Sequence, residues 1–410
     1  MLAATSDSRP AVLTLTDRYL PGFKAGGPIR SLANLVEHLG DEFQFRIITR
    51  DRDGGDTQPY AGITINQWQP VGKADVFYLS SPHRLGGLLR SETNNSASPV
   101  LYLNSFFSAA FTIQTLLLRK LRVIDSANVI IAPRGELSDG ALGLKAWKKR
   151  PYLFASRLLH LYDDVIWHAS TLHEERELRR WAGRGATILI AQNLLAQTMH
   201  GLSFQRSTKQ AGELRVAFIS RISRKKNLAS ALRLLAQLPG RVHFNIYGPI
   251  EDSAYWHECK NIGSKLPLNI RVNYCDCLPY DKVSDVLSQH HLFFLPTLGE
   301  NFGHVIIEAL QAGCPVLISD RTPWRNLEKS RAGWDLPLDR PDLFLGALRF
   351  CTEMGETEFT RWSEGAQTFG ARALGTDAIS ENRTLFRTAL EVARSPDEAT
   401  NVTLKDPFLN

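Results

Sequence analysis

The chain contains 410 residues, of which 43% are apolar and 22% are charged, and its formal net charge is +6. This composition is that of an ordinary globular protein and excludes a disordered, collagen-like or coiled-coil chain. The length is sufficient for two or three domains, each with its own hydrophobic core. The mild positive charge, without aromatic stacking motifs, argues against a nucleic-acid partner.

The cysteines and the N-terminal segment predict a cytoplasmic protein. An odd, sparse set of cysteines in the second half of the chain does not indicate a disulfide framework. These cysteines are Cys259, Cys275, Cys277, Cys314 and Cys351. Residues 1–11 lack a charged segment followed by a long apolar run, so we expect no signal peptide. The uncharged stretch 93–118 is interrupted by polar side chains, which argues against a membrane-spanning helix.

Short apolar segments alternate with helical patterns in two successive series, which predicts two α/β domains with parallel sheets. The first series of predicted strands comprises residues 12–16, 45–49, 75–79, 100–103, 129–132 and 186–190. The second comprises residues 214–219, 242–247, 270–274, 292–295 and 315–318.

The pattern lapses in the polar stretch 195–213, which we interpret as a linker. The predicted organisation is an N-terminal Rossmann-like domain at 1–194, a C-terminal Rossmann-like domain at 214–385, and a helix end with a polar tail at 386–410. A long helical pattern from 341 to 392 precedes the tail. Ligands of doubly wound sheets bind outside the carboxyl ends of the strands, so we expect the functional site in the cleft between the domains.

The segment 295–320 is the most informative part of the sequence. Its pattern predicts a strand ending at residue 295, a loop with Glu300 and Gly303, and a helix over 304–312 that carries Glu308. The free N–H groups at the start of this helix suit a phosphate. Carboxylates are poor phosphate ligands, so Glu300 and Glu308 are predicted to accept hydrogen bonds from hydroxyl groups, such as those that sugars or ribose supply.

A basic segment, 220–227, follows the first strand of the second domain. Arg221 and Lys226 are expected to converge on one anion, although Arg224 and Lys225 lie in the same run and any two of the four could form the pair. Asn227 is predicted to cap the next helix. Two cations opposite a helix N-terminus would neutralise a diphosphate, and no metal-ligand pattern is present in the sequence.

A glycine-containing loop, 21–31, follows the first strand of the first domain. Gly26 and Gly27 precede Pro28, which suits the start of a helix, and the loop can present backbone N–H groups to the cleft. A plain turn is the alternative interpretation. Neither half contains the G-x-G-x-x-G fingerprint, which argues against a dinucleotide-dependent oxidoreductase.

Together, Glu300-x7-Glu308, Arg221-x4-Lys226 and the glycine loop resemble the retaining group 1 glycosyltransferases of the GT-B fold, over about residues 11–390. The resemblance implies a metal-independent enzyme without a cofactor that uses a nucleotide-sugar donor. It implies that Arg221 and Lys226 stabilise the diphosphate leaving group. It also implies that Glu300 holds the donor-sugar hydroxyls and Glu308 the ribose hydroxyls. The implied donor-binding residues are Gly26, Gly27, Phe302, Gly303, His304, Val305 and Glu308.

The sequence also departs from the family pattern. Asn193 is all that remains of a Pro-Asn-Gly turn, and the loop 132–138 resembles that of exopolysaccharide-type members rather than carrying the frequent histidine. Arg134 and Glu136 in this loop are candidates for acceptor contact, with a structural role as the alternative. The implied function is transfer of a sugar to a glycan or lipid-linked acceptor in surface polysaccharide biosynthesis.

A basic stretch, 145–157, interleaves cations with aromatic and aliphatic side chains. It predicts either contact with an anionic membrane surface or an ordinary solvated helix. Residues 101–160 contain nine basic and three acidic side chains. For the whole chain, a nucleotide-sugar epimerase of similar architecture and a non-catalytic sugar-binding protein remain alternative functions.

Overall fold

The computed structural model describes residues 9–95, 100–124, 128–143, 146–196, 207–373 and 377–394. These residues form two α/β units, each built on a wholly or mostly parallel sheet covered by helices on both faces. The two tandem Rossmann-like domains predicted from the sequence are confirmed.

Within the described residues, the N-terminal sheet has eight strands. They are β1 (Ala11–Leu15), β2 (Gln44–Arg50), β3 (Trp68–Val71), β4 (Ala74–Leu79), β5 (Val100–Leu103), β6 (Val129–Ile131), β7 (Val165–Ala169) and β8 (Thr187–Ile190). Their order in the sheet is β3-β4-β2-β1-β5-β6-β7-β8. All neighbours are parallel except β3 and β4. The helices of this part are α1 (Gly27–Leu39), α2 (Leu85–Asn95), α3 (Gln114–Lys120), α4 (Asp139–Gly143), α5 (Ala146–Leu158) and α6 (Leu172–Ala182).

The described C-terminal sheet has six strands, all parallel. They are β9 (Glu213–Ile219), β10 (Arg241–Tyr247), β11 (Ile270–Tyr274), β12 (Leu292–Leu295), β13 (Val316–Ser319) and β14 (Gly333–Leu336), in the order β11-β10-β9-β12-β13-β14. The remaining helices are α7 (Leu228–Leu235), α8 (Ser253–Gly263), α9 (Val283–Ser288), α10 (His304–Gln311), α11 (Pro341–Glu353), α12 (Glu356–Arg372) and α13 (Ala378–Arg394).

All the predicted strands are present, but three strands of the structure were not predicted. β3 lies at the sheet edge and contains a proline, and edge strands tolerate proline because one side of the strand is unpaired. β14 contains glycine and aspartate, which disfavour strands in isolation. β7 has a Trp-His pair within a short segment, and all five of its residues are buried in the sheet. In all three strands, burial and pairing in the sheet override weak local signals.

The last helix corrects the predicted domain boundary at residue 385. α13 begins at Ala378 but packs on the N-terminal sheet, where Leu385, Phe386 and Ala389 join the core around Phe45. Arg383 donates two hydrogen bonds of 2.7 Å to the Glu42 carboxylate. The chain therefore returns to its first domain, because the apolar face of α13 is buried there. Among the described residues, no helix combines the length and the apolar character needed to cross a bilayer.

Candidate active site

The carboxyl ends of the two sheets face each other across a cavity of about 240 Å³. Eleven of the twelve residues predicted for the site line this cavity. They are Gly26, Gly27, Arg134, Arg221, Lys226, Glu300, Phe302, Gly303, His304, Val305 and Glu308. Glu136 is the exception, so one cleft brings together nearly every side chain and loop that the motifs indicated.

Glu300 follows β12 and forms a buried ion pair with Lys226. The Thr297 hydroxyl also donates to the Glu300 carboxylate, at 3.1 Å. Burial opposes ionisation of Glu300, but the charges of Lys226 and Lys225 and these two hydrogen bonds together lower its pKa below the usual value. Glu300 is therefore a fixed carboxylate that can accept hydrogen bonds from hydroxyl groups.

Glu308 lies on the second turn of α10 and is held by the other domain. Arg30 on α1 donates to its carboxylate at 2.7 Å, and the Arg30 guanidinium lies 3.1 Å from the ring centre of Tyr280. Burial raises the pKa of Glu308, against the opposing effect of Arg30. The predicted ribose-binding carboxylate thus has an interdomain cation as its partner.

The start of α10 points into the cavity. Gly303 precedes it with a φ of 78°, and a Cβ at this position would lie 2.7 Å from the Ile306 side chain. The first-turn N–H groups of a helix lack acceptors within it, which suits an anion. His304 pairs with the Ser31 hydroxyl of α1 at 2.8 Å, and burial lowers its pKa to about 3. His304 is therefore neutral and joins the two domains.

The basic side chains that follow β9 contact different partners. Lys226 is buried against Glu300, whereas Arg221 is only partly buried and pairs with Glu251 at 3.0 Å. Lys225 lines the cavity too, and burial lowers its pKa. Arg221 and Lys226 border one cavity without a shared partner in this structure. Asn227 occupies the N-cap position of α7 in a left-handed conformation, and its side chain makes no capping hydrogen bond, contrary to the prediction.

The two candidates for acceptor contact, both in the loop after β6, point in different directions. Arg134 lines the cavity, whereas the Glu136 carboxylate turns away and accepts hydrogen bonds from the Phe106 and Phe107 N–H groups at 2.7 and 2.9 Å. The Ser105 hydroxyl donates to the same carboxylate at 2.9 Å. These contacts fix the chain after β5 and hold the Glu136 carboxylate away from the cavity, which favours the structural role that was the alternative.

The glycine loop adopts a conformation that differs between its two glycines. Gly26 has φ 67° and ψ −120°, whereas Gly27 begins α1 with no positive φ, and Pro28 takes the second helical position. A side chain at residue 26 would meet open space, so the restriction there is the backbone conformation alone.

Several cavity residues were missed by the motif analysis. Lys24, Arg30, Ser31 and Asn301 line the cavity and lie in the same chain segments as the predicted residues. Asn301 donates to the Ser170 hydroxyl of the N-terminal domain at 2.8 Å. Their position next to predicted site residues was the one signal in the sequence that could have identified them. Their interaction partners lie far away along the chain and could not be read from local spacing. No cluster of three or more potential metal-ligating side chains occurs in the part of the chain that the structure describes.

Comparison with known proteins relates this geometry to a family. Residues 202–336 match the family model described as glycosyl transferases group 1. No curated protein sequence matches the chain significantly.

Solved structures resemble the chain over nearly its whole length. Sucrose-phosphate synthase from Thermosynechococcus elongatus superposes with a TM-score of 0.69 at 14% identity, covering 94% of this chain and 100% of that one. HepE of Anabaena, solved with UDP and glucose, gives 0.66 at 16% identity, covering 93% and 100%. WaaG, a glycosyltransferase involved in lipopolysaccharide biosynthesis, gives 0.64 at 11% identity, covering 92% and 99%. The chain thus has the GT-B fold of these glycosyltransferase structures, and its residues 202–336 match the model of the group 1 glycosyl transferases.

Proposed function

We propose that this protein is a retaining glycosyltransferase that moves a sugar from a nucleotide-sugar donor to a glycan or lipid-linked acceptor in surface polysaccharide biosynthesis. The observation that carries the proposal is the cavity in which the α10 N-terminus, Lys226, Glu300 and Glu308 meet. HepE, which shares the fold, was solved with UDP-glucose, which supports a nucleotide sugar as donor.

The cavity offers complementary groups for each part of such a donor. The N–H groups of α10 and the cations Lys225, Lys226 and Arg221 suit the diphosphate. The Glu300 carboxylate suits sugar hydroxyls. Glu308 suits the ribose hydroxyls, and a bound ribose would replace Arg30 as its partner. The protein's cations, rather than a metal ion, supply the positive charge in this proposal.

The proposed reaction is a same-face substitution at the anomeric carbon. The bond between this carbon and the diphosphate oxygen breaks, a bond to the acceptor oxygen forms, and the acceptor proton passes to a phosphate oxygen. Lys226 and Arg221 stabilise the negative charge that develops on the leaving group. Fixed electrostatics therefore provides the largest contribution, with orientation of the two substrates second.

Substitution of the two cations tests this role. Lys226→Ala is expected to lower turnover by about 10²–10³ and Arg221→Ala by less, because Arg221 is only partly buried and already paired with Glu251. Turnover is measured with a panel of nucleotide sugars, using the exposed Lys260→Ala as the matched control. Near-native rates in both variants would contradict the leaving-group role. Epimerisation of a donor, or binding without turnover, would instead support one of the two alternative functions.

We also propose that a surface of the N-terminal domain binds anionic lipid. On α5, Trp147, Phe154 and Leu158 are 74%, 73% and 70% exposed, and their spacing places them on one stripe of the helix. Lys148 and Arg150 flank this stripe and are exposed. Lys149 turns inward, where it donates to the Ala141 carbonyl at 2.6 Å. Exposed aromatic and cationic side chains on one helix are typical of membrane-surface helices.

The membrane proposal is tested by flotation with liposomes that contain anionic lipid. Trp147→Ser with Phe154→Ser, and separately Lys148→Glu with Arg150→Glu, are expected to reduce binding at least tenfold, because each buried apolar group and each cation contributes about 1 kcal/mol. Leu268→Ser is the matched control, since Leu268 is fully exposed on the other domain. Absence of binding by the unmodified protein, or equal binding by all variants, would refute the proposal.

A further inference from the structure

Arg134 is a cation of the cavity whose hydrogen-bond partners within the described residues are all neutral. Its guanidinium donates to the Asn104 side-chain oxygen at 2.8 Å, to the Tyr102 hydroxyl at 2.6 Å, and to the Asn193 side-chain oxygen. Among the residues that the structure describes, it forms no ion pair. The other cavity arginines do have carboxylate partners, since Arg30 pairs with Glu308 and Arg221 with Glu251.

A guanidinium without a carboxylate leaves a net positive charge in the cleft. Arginine remains protonated at all relevant pH values, and a charge removed from water is costly unless it is paired. The three hydrogen bonds use three of its five N–H groups, so two remain for a ligand. A carboxylate or a phosphate complements such a site better than a hydroxyl does.

The surroundings hold this guanidinium in place. Arg134 and Gly135 have φ values of 54° and 75°, and the Gly135 N–H donates to the Glu174 carboxylate at 2.6 Å. Tyr102 contacts Nδ1 of His168 at 2.8 Å, while Nε2 of His168 lies 2.8 Å from the Ala191 carbonyl. A carbonyl oxygen only accepts, so Nε2 carries the proton and Nδ1 accepts from the Tyr102 hydroxyl. Strained backbone of this kind persists where its surroundings fix it, which is common at binding sites.

The position of Arg134 identifies the part of the substrate that it would meet. A Cβ at Gly135 would lie 2.8 Å from Cβ of Asn301, the residue after Glu300. Arg134 therefore lies at the segment proposed to hold the donor sugar. We infer that Arg134 binds an anionic group, a carboxylate or a phosphate, carried by the transferred sugar or by the acceptor beside it. This inference rests on the proposed glycosyltransferase function.

The experiment compares matched neutral and anionic substrates. The donor arm uses UDP-glucose with UDP-glucuronate, and GDP-mannose with GDP-mannuronate. The acceptor arm uses a monosaccharide on a prenyl diphosphate and the same monosaccharide on a neutral alkyl chain. For the unmodified protein, the anionic member of one arm is expected to bind or react at least about tenfold better, and the arm that shows the preference identifies the source of the anion.

Three variants assign the preference to Arg134. Arg134→Gln is expected to abolish it and Arg134→Lys to retain part of it. Asn193→Asp keeps the guanidinium but supplies a carboxylate partner, so it should also reduce the preference. Melting temperatures and binding of UDP and GDP alone verify that each variant is folded, and Asn193→Asp provides the test if Arg134→Gln does not fold.

Failure of this inference differs from failure of the proposed function. If nucleotides bind and sugar is transferred with no charge preference in either arm, or if the variants keep the preference, the role of Arg134 is refuted while the glycosyltransferase function stands. If the protein neither binds UDP or GDP nor turns over any nucleotide sugar, the proposed function fails, and this inference fails with it.

Discussion

Two glutamates of one short segment show how the environment of a residue sets its chemistry. Burial raises the pKa of Glu308, and its single cation, Arg30, does not overcome the effect. Burial acts in the same direction on Glu300, but Lys226, Lys225 and Thr297 together lower its pKa. Glu300 therefore stays ionised over a wide pH range, while Glu308 depends on an interdomain partner for its charge.

Buried histidines predict a loss of stability in mild acid. Burial lowers the pKa of His168, His291 and His304 to about 3, whereas an unfolded histidine titrates near 6.5. Between these values the unfolded chain binds more protons, so the free energy of unfolding falls as the pH drops below 6.5 and continues to fall until about pH 3. Each histidine is expected to contribute about 1 kcal/mol per pH unit between pH 6 and pH 4.

Denaturant titrations at pH 7.5, 6 and 5 measure this effect. His304→Gln is expected to show a shallower pH dependence than the unmodified protein, because glutamine does not titrate. Glu308 contributes with the opposite sign, since a raised folded pKa stabilises at low pH, and it is present in both proteins. Leu268→Ser, at a fully exposed site without a titratable group, should leave the slope unchanged. Equal slopes for all three proteins would contradict the assignment of a neutral, buried His304.

At the scale of elements, the site is built where strands end and helices begin. α1 and α10 both start at the cavity, and a glycine with positive φ precedes each of them, Gly26 and Gly303. Such glycines let the chain turn sharply from a strand into a helix whose N–H groups face the ligand. Side chains on the two helices then meet directly, as Ser31 and His304 do.

Alanine substitutions distinguish the two glycines of the first loop. Gly26→Ala is expected to lower the free energy of unfolding by about 1–3 kcal/mol, because its backbone conformation is disfavoured for a side chain. Gly27→Ala is the matched control, since its Cβ would lie 3.8 Å from His304 without a clash. Chemical denaturation and nucleotide affinity measure both variants. Equal losses of stability in the two variants would show that the backbone conformation at residue 26 does not disfavour a side chain there.

At the scale of the whole molecule, the two domains are joined by more than the linker. α13 crosses back onto the N-terminal sheet, where Phe386 packs against Phe43, Phe45 and Tyr102. The pairs Arg30–Glu308 and Asn301–Ser170 connect the two domains across the cleft. The first domain therefore depends on the end of the described chain for part of its core.

Removal of the Phe386 side chain tests this dependence. Phe386→Ala is expected to destabilise the protein by about 3–5 kcal/mol, as for other buried aromatic residues. Hydrogen exchange should accelerate in β1 and β2 of the first domain more than in β9 and β12. Leu268→Ala, at a fully exposed site, is the control and should change neither measurement. Faster exchange confined to the C-terminal sheet would contradict the packing of α13.

The sequence alone determined the features that are specified by residues close together along the chain. Alternating apolar segments located eleven of the fourteen described strands, and the strand-loop-helix pattern around Glu300 and Glu308 located the carboxylates and the helix start. Such features are readable because periodicity and helix-start chemistry act over a few residues. The glycine loop and the basic segment were also recognised from residues close together along the chain, and both line the cavity.

The tertiary structure alone decided which distant groups meet. It placed Arg30 against Glu308, turned Glu136 away from the cleft while Arg134 remained in it, and returned α13 to the first domain. Residues 30 and 308 are 278 positions apart. The spacing of nearby residues cannot encode such a pair. The pair forms only because of how the two sheets pack against each other and which of their apolar faces become covered.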